Sequence, residues 1–287
     1  MTLSALLASL RKSLRSFDVL NPDVEAETIM SHVLGLKRSR IYLEPDREIS
    51  QAEEARIDAI LRERSRRYPL QYLLGDVEFM GLPFAAKEGV FVPRPETEIL
   101  VEAVLARAKR MRADLRIIDL ATGSGVIAIS LAKYLEPSFV LAVDVSQAAV
   151  SLARQNARLN RVEERVAFAV GDGLAFLGAP DAEAAFDVVV SNPPYIETGD
   201  LAALQPEVRD FEPRAALDGG PDGLAFIDGV ARGIPSILRR TGVVAFEIGS
   251  TQGERASALF REIGLAEIEV LKDLAGRDRV VIGRQEV

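Results

Sequence analysis

Residues 115–135 read LRIIDLATGSGVIAISLAKYL, and this stretch decides the class of fold. An apolar, strand-like run from Leu115 to Leu120 is followed by a glycine-containing loop and then by a helical pattern that starts at Val126. Glycine lets the backbone turn tightly from a strand into a helix and lets it come close to a ligand. A strand, a tight turn and a helix in this order predict the first unit of an α/β domain.

The same alternation of strands and helices continues to the end of the chain. It is typical of a mostly parallel sheet covered by helices on both faces. The last two strands are joined by a short link that contains glycine, which predicts an antiparallel hairpin at one edge. Residues 223–238 are predicted as one helix. Seven strands are predicted, in the stretches LRIIDL, SFVLAVD, RVAFAV, FDVVVS, GVVAFEIG, LAEIEVLKD and DRVVIGR.

The first third of the chain has a different pattern. Leucines recur at helical spacing near the start, Asn21 and Pro22 mark the beginning of a second helix, and Ser50 with Glu53 forms the signature of a capping box. Short extended pieces separated by glycines follow and predict a hairpin-like linker, with a new helix at about residue 96. We therefore predict a helical domain at 1–74, a linker at 75–95 and a catalytic domain at 96–287.

Composition excludes several classes of site. The chain of 287 residues is 48% hydrophobic and contains no cysteine and a single histidine, His32. Thiolate metal sites, cysteine nucleophiles and a Ser-His-Asp triad are therefore not expected, and no metal is predicted. The net charge of −8 lowers the expectation of a nucleic-acid partner. No signal peptide or membrane-spanning run is visible, so a cytoplasmic protein without a membrane partner is predicted.

Polar residues stand at the ends of the next two strands. Asp144 follows Gly125 by 19 residues, the spacing at which a carboxylate accepts from a ribose diol. The alternative is that Asp144 or Ser146 caps the following helix. After the third strand, Asp172 can accept from an exocyclic amine, and Gly173 leaves room for a flat ring. A nicotinamide cofactor would also fit the first two strands, but the loop lacks the last glycine of the dinucleotide spacing.

The fourth strand ends in FDVVVSNPPYIE, residues 186–197. Proline cannot donate to a strand ladder, so the strand stops and the backbone becomes rigid. The side-chain oxygen of Asn192 and the carbonyl of Pro193 can both accept from one planar NH₂ group, and Tyr195 can lie against it. The motif is therefore predicted to hold a planar amine or amide nitrogen. The alternative is a proline turn with a packed tyrosine.

These motifs and several others resemble the HemK/PrmC family, over nearly the whole chain. The resemblance lies in QYLLGDVEFMGLPF, FVPRPETE, SNPPYI, FEPRAALDGGPDGL, FEIGSTQG and DLAGRDRVVIGR. It implies the class I S-adenosylmethionine methyltransferase fold with a small N-terminal helical domain. It also implies methyl transfer from S-adenosylmethionine, leaving S-adenosylhomocysteine, to the N5 amide of the GGQ glutamine in class I peptide chain release factors.

The resemblance also implies roles for individual residues. The methionine end of the cofactor is expected at the loop, the ribose at Asp144 and the adenine at Asp172 and Gly173. Arg94 and residues 96–98 are expected near the pocket or, equally, as a helix-initiating cap. The cofactor loop comprises Ala121, Thr122, Gly123, Ser124 and Gly125; the catalytic and substrate-binding residues are Asn192, Pro193, Pro194 and Tyr195, with Asn192 also at the cofactor.

One departure from the family concerns Ala121, which stands where the family usually has glycine. Its methyl group is expected to be tolerated if the backbone angles are ordinary, and to matter for cofactor affinity if φ is positive.

Other functions remain open from the sequence. A nucleic-acid methyltransferase acting on adenine or guanine would use the same motif, with Tyr195 stacked on a flipped base. The basic runs KRSR at 37–40 and RERSRR at 62–67 favour it, although a solvated helix face explains them as well. A ribosomal-protein glutamine methyltransferase and a non-enzymatic sensor of the adenosyl ligand are further alternatives. The helical domain is expected to dock the release factor, and the enzyme is expected to be a monomer.

Overall fold

The computed structural model describes residues 1–111, 113–173 and 185–286. By its internal contacts the chain divides into two compact units. The first comprises Met1–Gly75 together with Gln205–Phe211, and the second comprises Asp76–Leu204 together with Glu212–Val287.

The first unit is built from five helices around an apolar core. The helices are α1 (Leu3–Ser16), α2 (Pro22–Leu34), α3 (Arg38–Leu43), α4 (Gln51–Arg64) and α5 (Leu70–Leu74). The leucines that recur along α1 are all buried. The predicted capping box opens α4, because Ser50 accepts from the Glu53 backbone while the Glu53 carboxylate accepts from Ser50. Asn21 occupies the cap position of α2, but its side chain makes no capping hydrogen bond.

A segment from much later in the chain completes this unit. It contains the one-turn helix α9 (Pro206–Arg209). The carboxylate of Glu207 pairs with both Arg64 and Arg67, and the ring of Phe211 packs edge-on against Tyr68 with centroids 5.1 Å apart. Arg64 is only 1% exposed and also pairs with Glu25. The helical unit is therefore not continuous in sequence.

The second unit begins with the predicted hairpin. Strands β1 (Asp76–Phe79) and β2 (Leu82–Ala85) pair antiparallel. Helix α6 (Thr97–Ala108) follows, at the predicted position.

The seven predicted strands form one sheet. They are β3 (Leu115–Leu120), β4 (Ser138–Asp144), β5 (Val166–Val170), β6 (Phe186–Ser191), β7 (Leu238–Glu247), β8 (Leu265–Lys272) and β9 (Asp278–Gln285). Their order is β5-β4-β3-β6-β7-β9-β8. The first five strands are parallel, whereas β9 runs antiparallel to both β7 and β8, which confirms the predicted antiparallel edge.

Both faces of the sheet are buried, as the apolar runs predicted. Ile117 of β3 belongs to the core under α6, α7 (Val126–Tyr134) and α8 (Gln147–Leu159). Its neighbour Ile118 belongs to the core on the opposite face. That face is covered by α10 (Ala225–Ala231), α11 (Ile234–Ile237) and α12 (Gly253–Glu262). This is the three-layer architecture expected of an α/β domain.

The prediction of one helix at 223–238 is wrong in one respect. Two short helices occupy this stretch, separated at Gly233, and the chain passes directly from Ile237 into β7. Pro235 lacks an N–H and therefore favours the first turn of a new helix over the interior of a long one. Among the described residues no helix is long and apolar enough to cross a membrane.

Candidate active site

The predicted site residues stand at one edge of the sheet because the strand register aligns their ends. Leu120, the last residue of β3, pairs with Val143 of β4 and with Ser191 of β6. Ser191 in turn pairs with Phe246 near the end of β7. In a parallel sheet the loops that follow such strands lie side by side, and ligands bind there.

The loop after β3 has an unusual backbone. Gly123 and Gly125 have positive φ angles of 58° and 85°. A Cβ on Gly125 would lie 3.0 Å from the Cβ of Ala153 in α8, so only glycine fits there. A Cβ on Gly123 would meet nothing within 4 Å, so the loop is open at that point. At the half-buried Gly123 the loop therefore leaves its backbone uncovered by other side chains, at the edge where ligands bind.

Ala121 also has a positive φ, of 55°. A residue with a Cβ is destabilised by about 1–2 kcal/mol in this left-handed region. The condition set out from the sequence is therefore met: the departure from the family glycine falls at a position with a positive φ.

Two buried polar contacts fix the remaining loop residues. The Thr122 hydroxyl donates to Oδ2 of Asp119 over 2.6 Å, and the Ser124 carbonyl accepts from Nδ2 of Asn156 over 2.9 Å. Burial raises the pKa of Asp119 to about 7, against the opposing hydrogen bonds from Thr122 and Ala128. Its second oxygen, Oδ1, is buried and has no hydrogen-bond partner among the described residues.

Asp144 connects β4 to the glycine loop. Its Oδ2 accepts from the Gly123 N–H and its Oδ1 from the Ser146 N–H, each over 2.8 Å. The helix cap is Ser146, whose hydroxyl accepts from the Ala149 N–H. Since each carboxylate oxygen can accept more than one hydrogen bond, Asp144 keeps capacity for a diol. The ribose role and the bond to the loop are compatible.

Asp172 and Gly173 follow β5 at the same edge. The Gly171 N–H donates to the Asp144 carbonyl over 2.9 Å, which places this turn beside the end of β4. Asp172 is exposed, and Gly173 is buried with its Cα facing Leu120. The adenine role of this pair stays a prediction.

The asparagine of the fourth strand is oriented by a residue on α6. Nδ2 of Asn192 donates to Oγ1 of Thr97 over 3.0 Å. The hydroxyl of Ser191, one residue earlier, donates to the Leu120 carbonyl over 2.6 Å and fixes the end of β6 against β3. With the NH₂ group of Asn192 engaged at Thr97, its amide oxygen remains as the acceptor of this side chain.

Both the side chain and the backbone carbonyl of Tyr195 are held by hydrogen bonds. Its hydroxyl donates to Oε1 of Glu247 over 3.2 Å, and its carbonyl accepts from Nε2 of Gln252 over 2.9 Å. Burial, then the nearby Glu247 carboxyl, raise the pKa of Tyr195 well above its usual range, so the phenol stays protonated and donates. The predicted position of the ring against a substrate remains untested.

The segment 218–223 packs directly against this motif. A Cβ on Gly219 would lie 2.8 Å from the carbonyl oxygen of Pro194. A Cβ on Gly223 would collide with the carbonyl of Tyr195 and with the side chain of Gln252. Both glycines are therefore required by a close backbone approach, and this approach fixes the path of the chain after Pro193.

Among the described residues, one hydrogen bond joins the segment PRPETE to the amide motif. Arg94 pairs with Glu212 and stacks over Phe91 at 4.8 Å, and Glu98 accepts from the Met80 N–H. Glu96 occupies the cap position of α6 without a side-chain cap. Thr97 is the member that reaches Asn192.

Sequence reasoning assigned no individual role to five residues that support the motif. Thr97 fell inside a range that was considered. Glu247 and Gln252 lie in FEIGSTQG, and Gly219 and Gly223 lie in LDGGPDG, stretches that were quoted only for their resemblance. A buried glutamate at the end of an apolar strand, as in FEIG, is the signal that marks Glu247. Within the described part of the chain, no group of acidic or histidine side chains is arranged to hold a metal ion.

Comparisons with known proteins agree with this geometry. Residues 5–75 match the PrmC N-terminal domain, and residues 82–207 match the methyltransferase small domain. Release factor glutamine methyltransferases from Geobacter sulfurreducens and Moorella thermoacetica are 41% and 42% identical to this chain. The alignments cover 93% of this chain and 90% of the first relative, and 97% of both chains for the second.

A solved structure is also similar. It is the release-factor-specific protein-(glutamine-N5) methyltransferase from Alicyclobacillus acidocaldarius, which is 30% identical, covering 68% of this chain and 95% of that chain with a TM-score of 0.42. Because this superposition is weak, the assignment rests on the sequence relatives. Their identity over nearly their whole length shows that the chain belongs to the release factor glutamine methyltransferase family.

Proposed function

We propose that this protein transfers a methyl group from S-adenosylmethionine to the side-chain amide nitrogen of the GGQ glutamine in class I peptide chain release factors. The observation that carries the proposal is the orientation of Asn192 beside the glycine loop. Its NH₂ group is engaged by Thr97, so its oxygen is left as an acceptor for the substrate amide. The relatives over the whole chain are named for this substrate.

The residues of the sheet edge fit an adenosyl cofactor. The loop 121–125 is open at Gly123, Asp144 retains acceptor capacity for a ribose, and Asp119 beneath the loop keeps one buried acceptor unused. When bound, S-adenosylmethionine supplies an electrophilic methyl group on a sulfonium. The product is S-adenosylhomocysteine, and no metal is required.

The task of the protein is then to position a weak nucleophile. An amide nitrogen is unreactive because its lone pair is delocalised into the carbonyl. The oxygen of Asn192 and the carbonyl of Pro193 supply two acceptors for the two N–H bonds of the glutamine NH₂ group, which holds its nitrogen face toward the cofactor. The same acceptors stabilise the positive charge that develops on nitrogen in the transition state. The proton that is lost leaves to water, so a general base is not needed.

The charge pattern of the helical unit supports a protein substrate over a nucleic acid. Most arginines of the two basic runs are paired with acids: Arg38 with Glu27, Arg40 with Glu44, Arg64 and Arg67 with Glu207, and Arg66 with Glu63. Pairing with acids competes with the neutralisation of phosphates. The protein is therefore proposed to act without direct nucleic-acid contacts. As expected from the sequence, we also propose that it is a cytoplasmic monomer.

The decisive experiment offers competing substrates to the purified enzyme. Labelled S-adenosylmethionine is incubated with a release factor, with the same factor carrying Gln→Glu in its GGQ motif, with ribosomal protein and with ribosomal RNA. We expect label only on the unaltered release factor and a mass increase of one methylene on the peptide that contains GGQ. Label on RNA or on ribosomal protein instead would replace the proposal by the corresponding alternative.

We also propose that the helical unit docks the release factor. A glutamine side chain has too little surface to select one protein, whereas specific complexes bury roughly 1,200–2,000 Å² in total. The unit carries exposed apolar side chains suited to such a contact, among them Leu20, Tyr42 and Leu43. The test of this contact is given with the whole-molecule prediction below.

A further inference from the structure

A buried carboxyl connects both arms of the amide-binding motif. Glu247, at the end of β7, is fully buried. It accepts from the hydroxyl of Tyr195 through Oε1. Burial raises the pKa of this carboxyl to about 7, and hydrogen bonding from Thr97 and Tyr195 opposes the rise. Thr97 itself is 1% exposed and accepts from Nδ2 of Asn192.

The direction of each hydrogen bond in this chain has a consequence. Thr97 Oγ1 is the acceptor in the bond from Nδ2 of Asn192, so the NH₂ end of the amide faces Thr97 and the amide oxygen faces away from it. An amide turned by half a rotation would bring its oxygen against Thr97 Oγ1 and lose this bond.

We propose that Thr97 and Glu247 are positioning residues: Thr97 fixes the amide of Asn192 with its oxygen toward the substrate, and Glu247 fixes the hydroxyl of Tyr195. The inference rests on the proposed function, because it assigns the orientation of the group that holds the glutamine. Together the two buried side chains set the geometry of two members of the motif. Neither Thr97 nor Glu247 touches the reacting atoms in this assignment.

The test compares three variants with the wild-type enzyme. Thr97→Ser keeps the hydroxyl, Thr97→Val keeps the shape without it, and Glu247→Gln keeps the shape but adds a donor. On release factor we expect Thr97→Ser within about threefold of wild type. We expect Thr97→Val and Glu247→Gln to lose on the order of 10- to 100-fold in kcat/KM, the effect of losing one oriented hydrogen bond in a closed site. Ser138→Ala is the matched control, because it removes a buried hydroxyl at the opposite edge of the sheet, and it should leave kcat/KM unchanged.

A double-mutant cycle separates orientation from packing. In the Asn192→Ala background no amide is left to orient, so Thr97→Val should add less than about twofold to the loss. Affinity for S-adenosylmethionine should stay within about threefold of wild type in the single variants of Thr97 and Glu247. Binding of a GGQ peptide to the S-adenosylhomocysteine complex, measured by calorimetry, should weaken in Thr97→Val and be retained in Thr97→Ser.

The outcomes distinguish the two proposals. Full activity of Thr97→Val, equal losses in Thr97→Ser and Thr97→Val, or additive losses in the cycle would overturn the positioning role while the function stands. A wild-type enzyme that does not methylate release factor would overturn the function, and peptide binding unaffected by Thr97→Val would then overturn the orientation as well.

Discussion

Asn192 carries the most specific prediction at the scale of single residues. Asn192→Ala should raise the barrier of methyl transfer by on the order of 2–4 kcal/mol, because one of the two acceptors for the glutamine NH₂ group is lost. The measurement is kcat on release factor, with S-adenosylmethionine affinity and thermal stability as controls. Turnover near the wild-type value in a folded variant would show that this side chain does not hold the substrate amide.

Asp144 has two tasks that one pair of variants can separate. Asp144→Ala should weaken S-adenosylmethionine binding by about 10- to 100-fold, the effect of losing a hydrogen bond to a charged group. The variant also loses the bond to the Gly123 N–H, which shapes the loop. Ser146→Ala removes the helix cap instead and should lower the free energy of unfolding by about 0.5–2 kcal/mol without affecting affinity. Unchanged affinity of Asp144→Ala in calorimetry would exclude the ribose role.

At Ala121 a substitution is expected to stabilise the protein. A φ of 55° destabilises a residue with a Cβ by about 1–2 kcal/mol, and glycine avoids this strain. Glycine also increases the entropy of the unfolded chain, which offsets part of the gain. Ala121→Gly should therefore raise the free energy of unfolding by up to about 1 kcal/mol and bind S-adenosylmethionine at least as tightly. Urea unfolding measures the first and calorimetry the second. Ala128→Gly, in the interior of α7, is the control and should be destabilising; a loss of stability in Ala121→Gly would contradict the strain argument.

At the scale of elements, short-range patterns predicted most of the sheet. The seven strands, the hairpin and the antiparallel edge follow from apolar runs and from glycine positions that lie close together in sequence. The split between α10 and α11 was missed because the helical period continues through Gly233 although Pro235 starts a new helix. The contacts of the 218–223 segment with Tyr195 were not predictable, because they join residues that are distant in sequence and the strand order is needed to bring them together.

Two strands end in carboxyls that the sheet buries, and they predict a pH dependence of stability. Burial raises the pKa of Asp119 and of Glu247 to about 7; at Glu247 the nearby Glu96 adds to this, whereas Thr97, Tyr195 and Arg279 oppose it. The folded state therefore binds these protons more tightly than the unfolded state does. The resulting stability is present at low pH and is lost as pH rises through about 7.

The free energy of unfolding should accordingly fall between about pH 5 and about pH 8, by on the order of 1–3 kcal/mol for each group. Carboxylates with lowered pKa values, such as Glu207 and Asp273, act at lower pH, outside this window. The glutamine in Glu247→Gln cannot titrate, so the free energy of unfolding of this variant should fall less steeply with pH than that of wild type. Urea unfolding at about pH 5 and about pH 8 measures the difference. Equal slopes for the two proteins would show that Glu247 does not carry a raised pKa.

At the scale of the whole molecule, the helical unit is tied to a segment that follows the amide motif in sequence. Gln205–Phe211 belongs to that unit through Glu207, which pairs with Arg64 and Arg67, and through Phe211 against Tyr68. Deleting the first 70 residues would remove both arginines and leave these partners exposed. The sequence predicted a helical domain limited to residues 1–74, because the long-range pairing of Glu207 leaves no local pattern. Point variants on the exposed surface are therefore the appropriate test of docking.

Leu43, at the end of α3, provides that test. It is 73% exposed, and Leu274, in the turn between β8 and β9, is the control because it is a fully exposed leucine outside the helical unit. Burying a leucine in an interface contributes about 1.5–3 kcal/mol, and a carboxylate in its place resists desolvation. Leu43→Glu should therefore raise KM for intact release factor by about 10-fold or more, with kcat and the KM for a short GGQ peptide unchanged. Leu274→Glu should leave all three unchanged. If Leu43→Glu has wild-type kinetics on the intact factor, Leu43 lies outside the docking contact; equal losses on factor and peptide would mean that α3 supports the catalytic unit instead.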